Sequence, residues 1–235
     1  MKKWSLCCLL ALLLIGACKS QSEPAATDAA ATETVVSSTP PFKTREPDHY
    51  QATRTLTIVN PDGTTVVTKT SIARDGDSRR NESETSTKRV AYLDVPEGKF
   101  VLLLDEKVYA DLASETEDPT GEDEITPEHL LHDNAGTTSY QNLGKEMVAG
   151  RNSNKYRTIV NSSTSGNVSH SDTLIWIDEA LNIPIRSETT SADGTRITME
   201  LSNVSQDVDK SLFQLPNDYE KIAFSKLRKR LAATE

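Results

Sequence analysis

The 235-residue chain sets 35 acidic against 26 basic residues, a formal net charge of −9, and only 5% of it is aromatic. That balance excludes a surface that gathers nucleic acid or anionic lipid over its general area, since both need cations in excess. Its three cysteines, Cys7, Cys8 and Cys18, all stand near the start, which excludes a disulfide framework and a cysteine metal site in the body of the chain.

Met1-Lys2-Lys3 precedes an apolar run from Trp4 to Ala17, the layout of a secretory signal. At the rise of an α-helix that run reaches roughly 21 Å, short of the roughly 30 Å of hydrocarbon that a spanning helix must cross. The tetrad Ile15-Gly16-Ala17-Cys18 resembles the bacterial lipobox: an aliphatic residue, two small residues, then cysteine. The resemblance implies a signal peptide over residues 1–17, cleavage before Cys18, and diacylglyceryl and N-acyl lipid on that cysteine. More than one chain makes such an anchor stable. Lys19, where an acidic residue would favour inner-membrane retention, implies sorting to the outer membrane, facing the periplasm. Losing Lys2 and Lys3 with the leader takes the net charge from −9 to −11.

Residues 18–49 are rich in Ala, Thr, Ser, Glu and Pro, a composition that predicts a lipidated, disordered tether. From Tyr50 to Ile222 short alternating segments separated by turn residues predict antiparallel strands. Leu56 and Ile58 share one face of the first, with Thr53, Thr55 and Thr57 on the other, and Asn60-Pro61-Asp62-Gly63 turns the chain. Further strands are expected at Val66–Arg74, Ser78–Glu84, Arg89–Val95, Lys99–Asp105 and Lys107–Leu112.

An acidic stretch, Ser114–Glu124, then leads to Thr126-Pro127-Glu128, which predicts a short inserted helix capped by Thr126. A second series of strands follows at Gly144–Val148, Lys155–Asn161, Thr173–Asp178, Ile183–Thr190 and Arg196–Asn203. Asp193-Gly194 is a hairpin signal. Residues 223–235 place Phe224, Leu227 and Leu231 at helical spacing among Lys226, Arg228, Lys229 and Arg230, predicting a basic terminal helix.

Antiparallel sheets usually bury one face and wet the other. Val101-Leu102-Leu103-Leu104 and Leu174-Ile175-Trp176-Ile177 are apolar at consecutive positions, so both faces of the sheet must be covered there. A second layer of protein and a cavity for an apolar ligand are both compatible with that pattern.

Three stretches, in order, resemble the lipoprotein carrier group, which includes the lipoprotein-sorting proteins of the periplasm and outer membrane. They are Asn142-Leu143-Gly144-Lys145-Glu146-Met147-Val148-Ala149-Gly150-Arg151 leading to Lys155-Tyr156-Arg157; Trp176-Ile177-Asp178 with Leu181-Asn182-Ile183-Pro184-Ile185-Arg186; and Leu212-Phe213-Gln214-Leu215-Pro216 with Tyr219. The resemblance covers residues 88–222. It implies a mainly β (α+β) domain over residues 50–222, a single strongly curved antiparallel sheet forming an unclosed half-barrel, whose concave face accommodates acyl chains. Tyr92, Leu102, Leu104, Leu174 and Trp176 are the residues assigned to that face.

Motifs for catalysis are missing: there is no Gly-rich phosphate loop, no Gly-x-Ser-x-Gly elbow and no His-Glu-x-x-His helix. No catalytic residue, cofactor or metal is therefore assigned. His129 and His132 could share a helix face and, with Asp133 or Glu128, mimic a metal site, but a competent site needs further ligands and an outer shell that a sequence does not display, and the acidic stretch lacks the ordered spacing of a calcium loop. Two functional readings follow. The first is an anchored envelope lipoprotein that binds acyl chains of lipids or lipoproteins; the second is a structural, adaptor or sensor lipoprotein that binds another envelope protein and has no lipid cavity.

Overall fold

The computed structural model describes residues 36–84, 87–112, 137–164 and 167–233. By its contacts the chain divides into two units, Met1–Glu33 and Thr34–Glu235, and every strand and apolar cluster described below lies in the second. Cys18, the acidic stretch, the expected helix at Thr126 and the pair His129 and His132 lie outside the described residues.

After a two-residue strand β1 (Val36–Ser37), a first meander comprises β2 (His49–Val59), β3 (Thr65–Asp75), β4 (Ser78–Glu84), β5 (Arg89–Val95), β6 (Gly98–Leu103) and β7 (Val108–Asp111). A second comprises β8 (Thr137–Val148), β9 (Arg151–Thr164), β10 (Asn167–Asp178), β11 (Pro184–Ser191) and β12 (Arg196–Ser205). A 3-10 turn (Lys210–Phe213), β13 (Glu220–Lys221) and helix α1 (Phe224–Ala232) complete the chain. The thirteen strands form one curved, open sheet in the order β1-β8-β9-β10-β11-β12-β2-β3-β4-β5-β6-β7-β13.

The hairpins close where the turn residues stand. Gly63, at φ +87°, donates its amide to the Asn60 carbonyl at 2.9 Å, while Asp62 accepts from the Thr64 amide at 2.8 Å. Asp193-Gly194 repeats the arrangement, with Gly194 N–H on the Ser191 carbonyl and Thr195 N–H on Asp193. Curvature has local causes too. Register shifts at Asn142/Gly144, Trp176/Ile177 and Ser202/Ser205 insert bulges, which bend a strand and increase its twist. Gly144 sits in its bulge at φ +93°, a conformation that a side chain resists.

The wholly antiparallel expectation needs one correction: β13 pairs with β7 in parallel. The chain reaches that edge from β12 through the 3-10 turn instead of through a hairpin, so it arrives running in the same direction as β7. Glu220 N–H and Ile222 N–H then bond the Lys107 and Tyr109 carbonyls, each at 2.9 Å.

Residues directly opposed in a register share a face, so each face can be followed across the sheet. One face runs Ala110, Val101, Tyr92, Asn81, Ile72, Ala52 from β7 to β2, then Leu56, Met199, Ser187, Ile175, Tyr156 from β2 to β9. The other runs Tyr109, Leu102, Ala91, Glu82, Ser71, Thr53, then Thr57, Thr198, Glu188, Leu174, Arg157 over the same strands. The first face stays largely apolar. The second turns from apolar at β5–β7 to polar in the centre and charged at β9–β11.

The run Val101–Leu104 is covered on both sides by protein. Val101 and Leu103, with Val90, Val108 and Ala110, lie under Phe224 and Leu227 of α1. Leu102 and Leu104, with Ala91, Leu93 and Phe100, lie under Phe213, Leu215 and Tyr219, and the Tyr219 hydroxyl donates to the Leu104 carbonyl at 3.2 Å. Leu227 is completely buried, which stabilises α1 against the sheet by about 1.5–3 kcal/mol.

Composition places a tether up to residue 49, yet the structure sets residues 36–48 on the sheet. Val36 and Ser37 pair with Gln141 and Tyr140. Phe42 packs its ring 4.8 Å from that of Tyr156 and 5.9 Å from that of Tyr140. Glu46 accepts from Arg79, from Arg74 at 3.2 Å and from the Tyr50 hydroxyl at 2.8 Å. One aromatic ring and one well-paired carboxylate suffice to dock a segment whose average composition is that of a coil.

Candidate functional site

On the apolar face Leu56, Ile58, Ile72, Tyr92 and Ile197 are half-buried, flanked by buried Ala52, Met199, Leu201, Ile175 and Tyr156. The polar side chains among them are small and turned on one another. Thr70 and Ser83, opposed across β3 and β4, share a hydroxyl hydrogen bond at 3.1 Å. Arg54 joins this face between Thr70 and Leu201. What the arrangement offers chemically is a broad hydrocarbon surface crossed by hydroxyls and by Arg54, suited to apolar burial.

Of the residues assigned from sequence, Tyr92 alone lies on this face, opposite Asn81 and Val101. Leu102, Leu174 and Trp176 lie on the other face, and Leu104 belongs to the cluster of Leu102. Even these four are not brought together, because the polar residues Glu82, Ser71, Thr53, Thr57, Thr198 and Glu188 stand between the two pairs.

Trp176 is 3% exposed and fenced by charge. Its indole N–H donates to Glu146 at 3.0 Å, the Lys155 ammonium stands 4.6 Å from the ring centre and the Arg186 guanidinium 5.3 Å. The Trp176 and Lys155 hydrogen bonds hold the Glu146 carboxyl below its ordinary value. Around it run the ion pairs Arg157–Asp172, Arg186–Glu188 and, at 3.3 Å, Arg186–Glu200. The apolar spelling Leu174–Ile177 therefore serves two clusters: Ile175 and Ile177 pack with Tyr156 and Phe42, while Trp176, with Leu174 against it, joins Val148, Ile183 and Ile185 in the cluster that also holds Ala52, Met199 and Leu201, and a lattice of salt bridges crosses its outer side.

Next to Trp176, Asp178 pins the β10–β11 turn. Its carboxylate is 1% exposed and accepts from Arg151 Nε at 2.6 Å and Nη2 at 3.2 Å, from the Leu181 amide at 2.7 Å and from the Ala180 amide at 3.0 Å. Burial pushes its pKa up, but the Arg151 hydrogen bond, together with the two amides, outweighs burial and leaves it below the usual carboxylate range. On the central strand β2, burial and then Glu46 raise the Tyr50 phenol well above its ordinary value.

A cavity of about 310 Å³ opens on the polar face between β2, β3, β4 and Leu212, lined by Gln51, Thr53, Ser71, Arg80 and Glu82. Arg80 donates to the Leu212 carbonyl at 3.3 Å and to Glu82 at 3.0 Å, while its buried Nε has no partner among the described residues. Among the described residues no three His, Cys, Asp or Glu side chains gather as metal ligands would. Sequence reasoning passed over Arg54, Ile72 and Met199, whose common face depends on a register that no local pattern announces.

No protein-family model matches the chain, and no curated protein matches it either. Solved structures do match. MucB is 12% identical with a TM-score of 0.45 over 74% of this chain, and this chain spans 60% of MucB. A LolA superfamily protein, NE2245 from Nitrosomonas europaea, is 12% identical with a TM-score of 0.34 over 73% of this chain and 92% of its own. A domain from Vibrio parahaemolyticus, provisionally named for outer membrane lipoprotein sorting, is 14% identical with a TM-score of 0.29 over 70% and 88%.

Proposed function

We propose that this chain is a lipid-anchored protein of the cell envelope, most simply of the outer membrane facing the periplasm, whose half-barrel binds acyl chains of lipids or lipoproteins without chemistry. The observation that carries this reading is the largely apolar face from Ala110 through Tyr92, Ile72, Leu56 and Met199 to Tyr156, on which the five large side chains Leu56, Ile58, Ile72, Tyr92 and Ile197 remain half-buried instead of sealed. Burial of hydrocarbon on such a face is worth about 25 cal/mol per Å², enough to hold an acyl chain and weak enough to release it. The lining set is Leu56, Ile58, Ile72, Tyr92 and Ile197, with Arg54 placed to meet a polar headgroup; Leu102, Leu104, Leu174 and Trp176 build the opposite side of the sheet. Anchoring through Cys18 supplies the address, and no cofactor or catalytic group enters this function.

The test is native mass spectrometry with lipid extraction on residues 34–235, the unit that holds the whole sheet and begins ahead of β1. Co-purifying phospholipid or acylated peptide, lost in Ile72→Glu and Leu56→Glu and kept in Val67→Glu, an exposed position on the opposite face, is the expected result. An empty domain that also takes up no fluorescent fatty acid would sink the carrier reading and leave the adaptor reading in its place.

A further inference from the structure

Helix α1 reads Phe-Ser-Lys-Leu-Arg-Lys-Arg-Leu-Ala: four bases and no acid, in a chain whose net charge is −9. Its inner face is accounted for by Phe224 and Leu227, which are buried, and by Leu231 packed beside them. Its outer charges are not accounted for by the domain. Arg230 bonds Glu106 at 2.8 Å, whereas Lys226, Arg228 and Lys229 are exposed and have no carboxylate partner among the described residues.

Nor do all of these charges serve the helix itself. Cations stabilise a helix only near its C-terminus, where they oppose the dipole. Lys229 and Arg230 stand in the last turn, but Lys226 stands in the first, which carries no acid and has Ala223 as an N-cap with no side-chain hydrogen bond. A helix selected for its own stability carries the opposite pattern. The concentration of cations on the free side of a packed helix points to a ligand outside the chain.

We propose that the outer face of α1, through Lys226, Arg228 and Lys229, is a docking surface for the headgroup phosphates of an anionic bilayer. The three exposed ammonium and guanidinium groups spread around the helix, Lys226 and Lys229 away from Phe224 and Leu227 and Arg228 nearer the margin, which suits a fluid layer of phosphates better than a single fixed anion. Charge complementarity is local: a domain that is acidic as a whole meets an anionic surface only along this helix, so the contact sets its orientation. A juxtamembrane cation contributes about 1 kcal/mol near such a surface, which is roughly fivefold in partitioning each and on the order of 100-fold for the three.

The experiment uses residues 34–235 in co-sedimentation with vesicles of phosphatidylcholine alone or with phosphatidylglycerol, at low and at high salt. The expected result is binding to the phosphatidylglycerol vesicles only, falling with salt. That binding should be lost in the triple variant Lys226→Gln, Arg228→Gln, Lys229→Gln and kept in the charge-matched control Lys69→Gln, Arg196→Gln, Lys210→Gln. Equal loss in both triple variants, or no preference of the unaltered domain for phosphatidylglycerol, overturns the proposal. All six residues are exposed, so the thermal transitions should coincide. Acyl uptake by the apolar face is read separately by lipid extraction, so this proposal and the carrier reading fail independently.

Discussion

Asp178 offers a quantitative check on how this sheet is held. Replacing it with alanine strands the Leu181 and Ala180 amides inside the β10–β11 turn and removes both bonds of Arg151, whose side chain is 28% exposed and can swing to water. A buried donor left unmade costs about 1–3 kcal/mol, and breaking a buried ion pair on one side costs about 3–5 kcal/mol. A loss near 3–5 kcal/mol is therefore expected for Asp178→Ala, with Asp178→Asn between it and the parent. Acid dependence gives a second readout. The folded pKa of Asp178 lies below its unfolded value, so its contribution is complete above about pH 4 and is lost as pH falls through the folded value. Urea unfolding of residues 34–235, followed through Trp176, the sole tryptophan of that span, measures both. A loss under about 1 kcal/mol, or an acid limb as steep in Asp178→Ala as in the parent, would refute the argument.

Two further substitutions probe the packing. Leu227→Ala removes a fully buried side chain from between α1 and β5–β7 and should cost about 2–5 kcal/mol in denaturant unfolding, with an unchanged m-value. Phe42→Ala removes a half-buried ring from Tyr140 and Tyr156; the expected loss is about 1–2 kcal/mol, with hydrogen exchange accelerated over residues 36–48 and unchanged in β10. Uniform acceleration across the sheet would show that the segment is not a separable dock.

Strand positions were readable because turn chemistry is local. Asn60-Pro61-Asp62-Gly63 and Asp193-Gly194 each mark a reversal that the structure contains, and the alternation of Leu56 and Ile58 against Thr53, Thr55 and Thr57 matches the two faces of β2. The double-sided spelling of Val101–Leu104 correctly demands two covers, found in α1 and in Phe213–Tyr219. Face membership across strands was not readable. Tyr92 and Leu102 look equivalent in one dimension, but β5 and β6 pair Tyr92 with Val101, which sends Leu102 to the far side. The bulge opposite Trp176/Ile177 puts its extra residue, Ile185, on β11 beside Pro184, a register that the alternation of β10 alone does not announce. The docked segment 36–48 escaped for a different reason: its contacts are few, specific and distant, Glu46 with Arg74 and Arg79 above all, and composition averages them away.

The meeting of β12 with β2 at the middle of the sheet bears on how the chain must fold. Thr57 lies opposite Thr198, about 140 positions on, so the central pairing closes the longest loop among the described strand pairs while each meander is built from near neighbours. Closure entropy grows only with the logarithm of loop length, but it must be met before any central contact forms, and non-local pairing of this kind slows folding. The two meanders can assemble as separate curved ribbons, each with an unpaired edge. Only their annealing makes one surface out of two, so the rate of that single event sets how long those edges stay open to other chains.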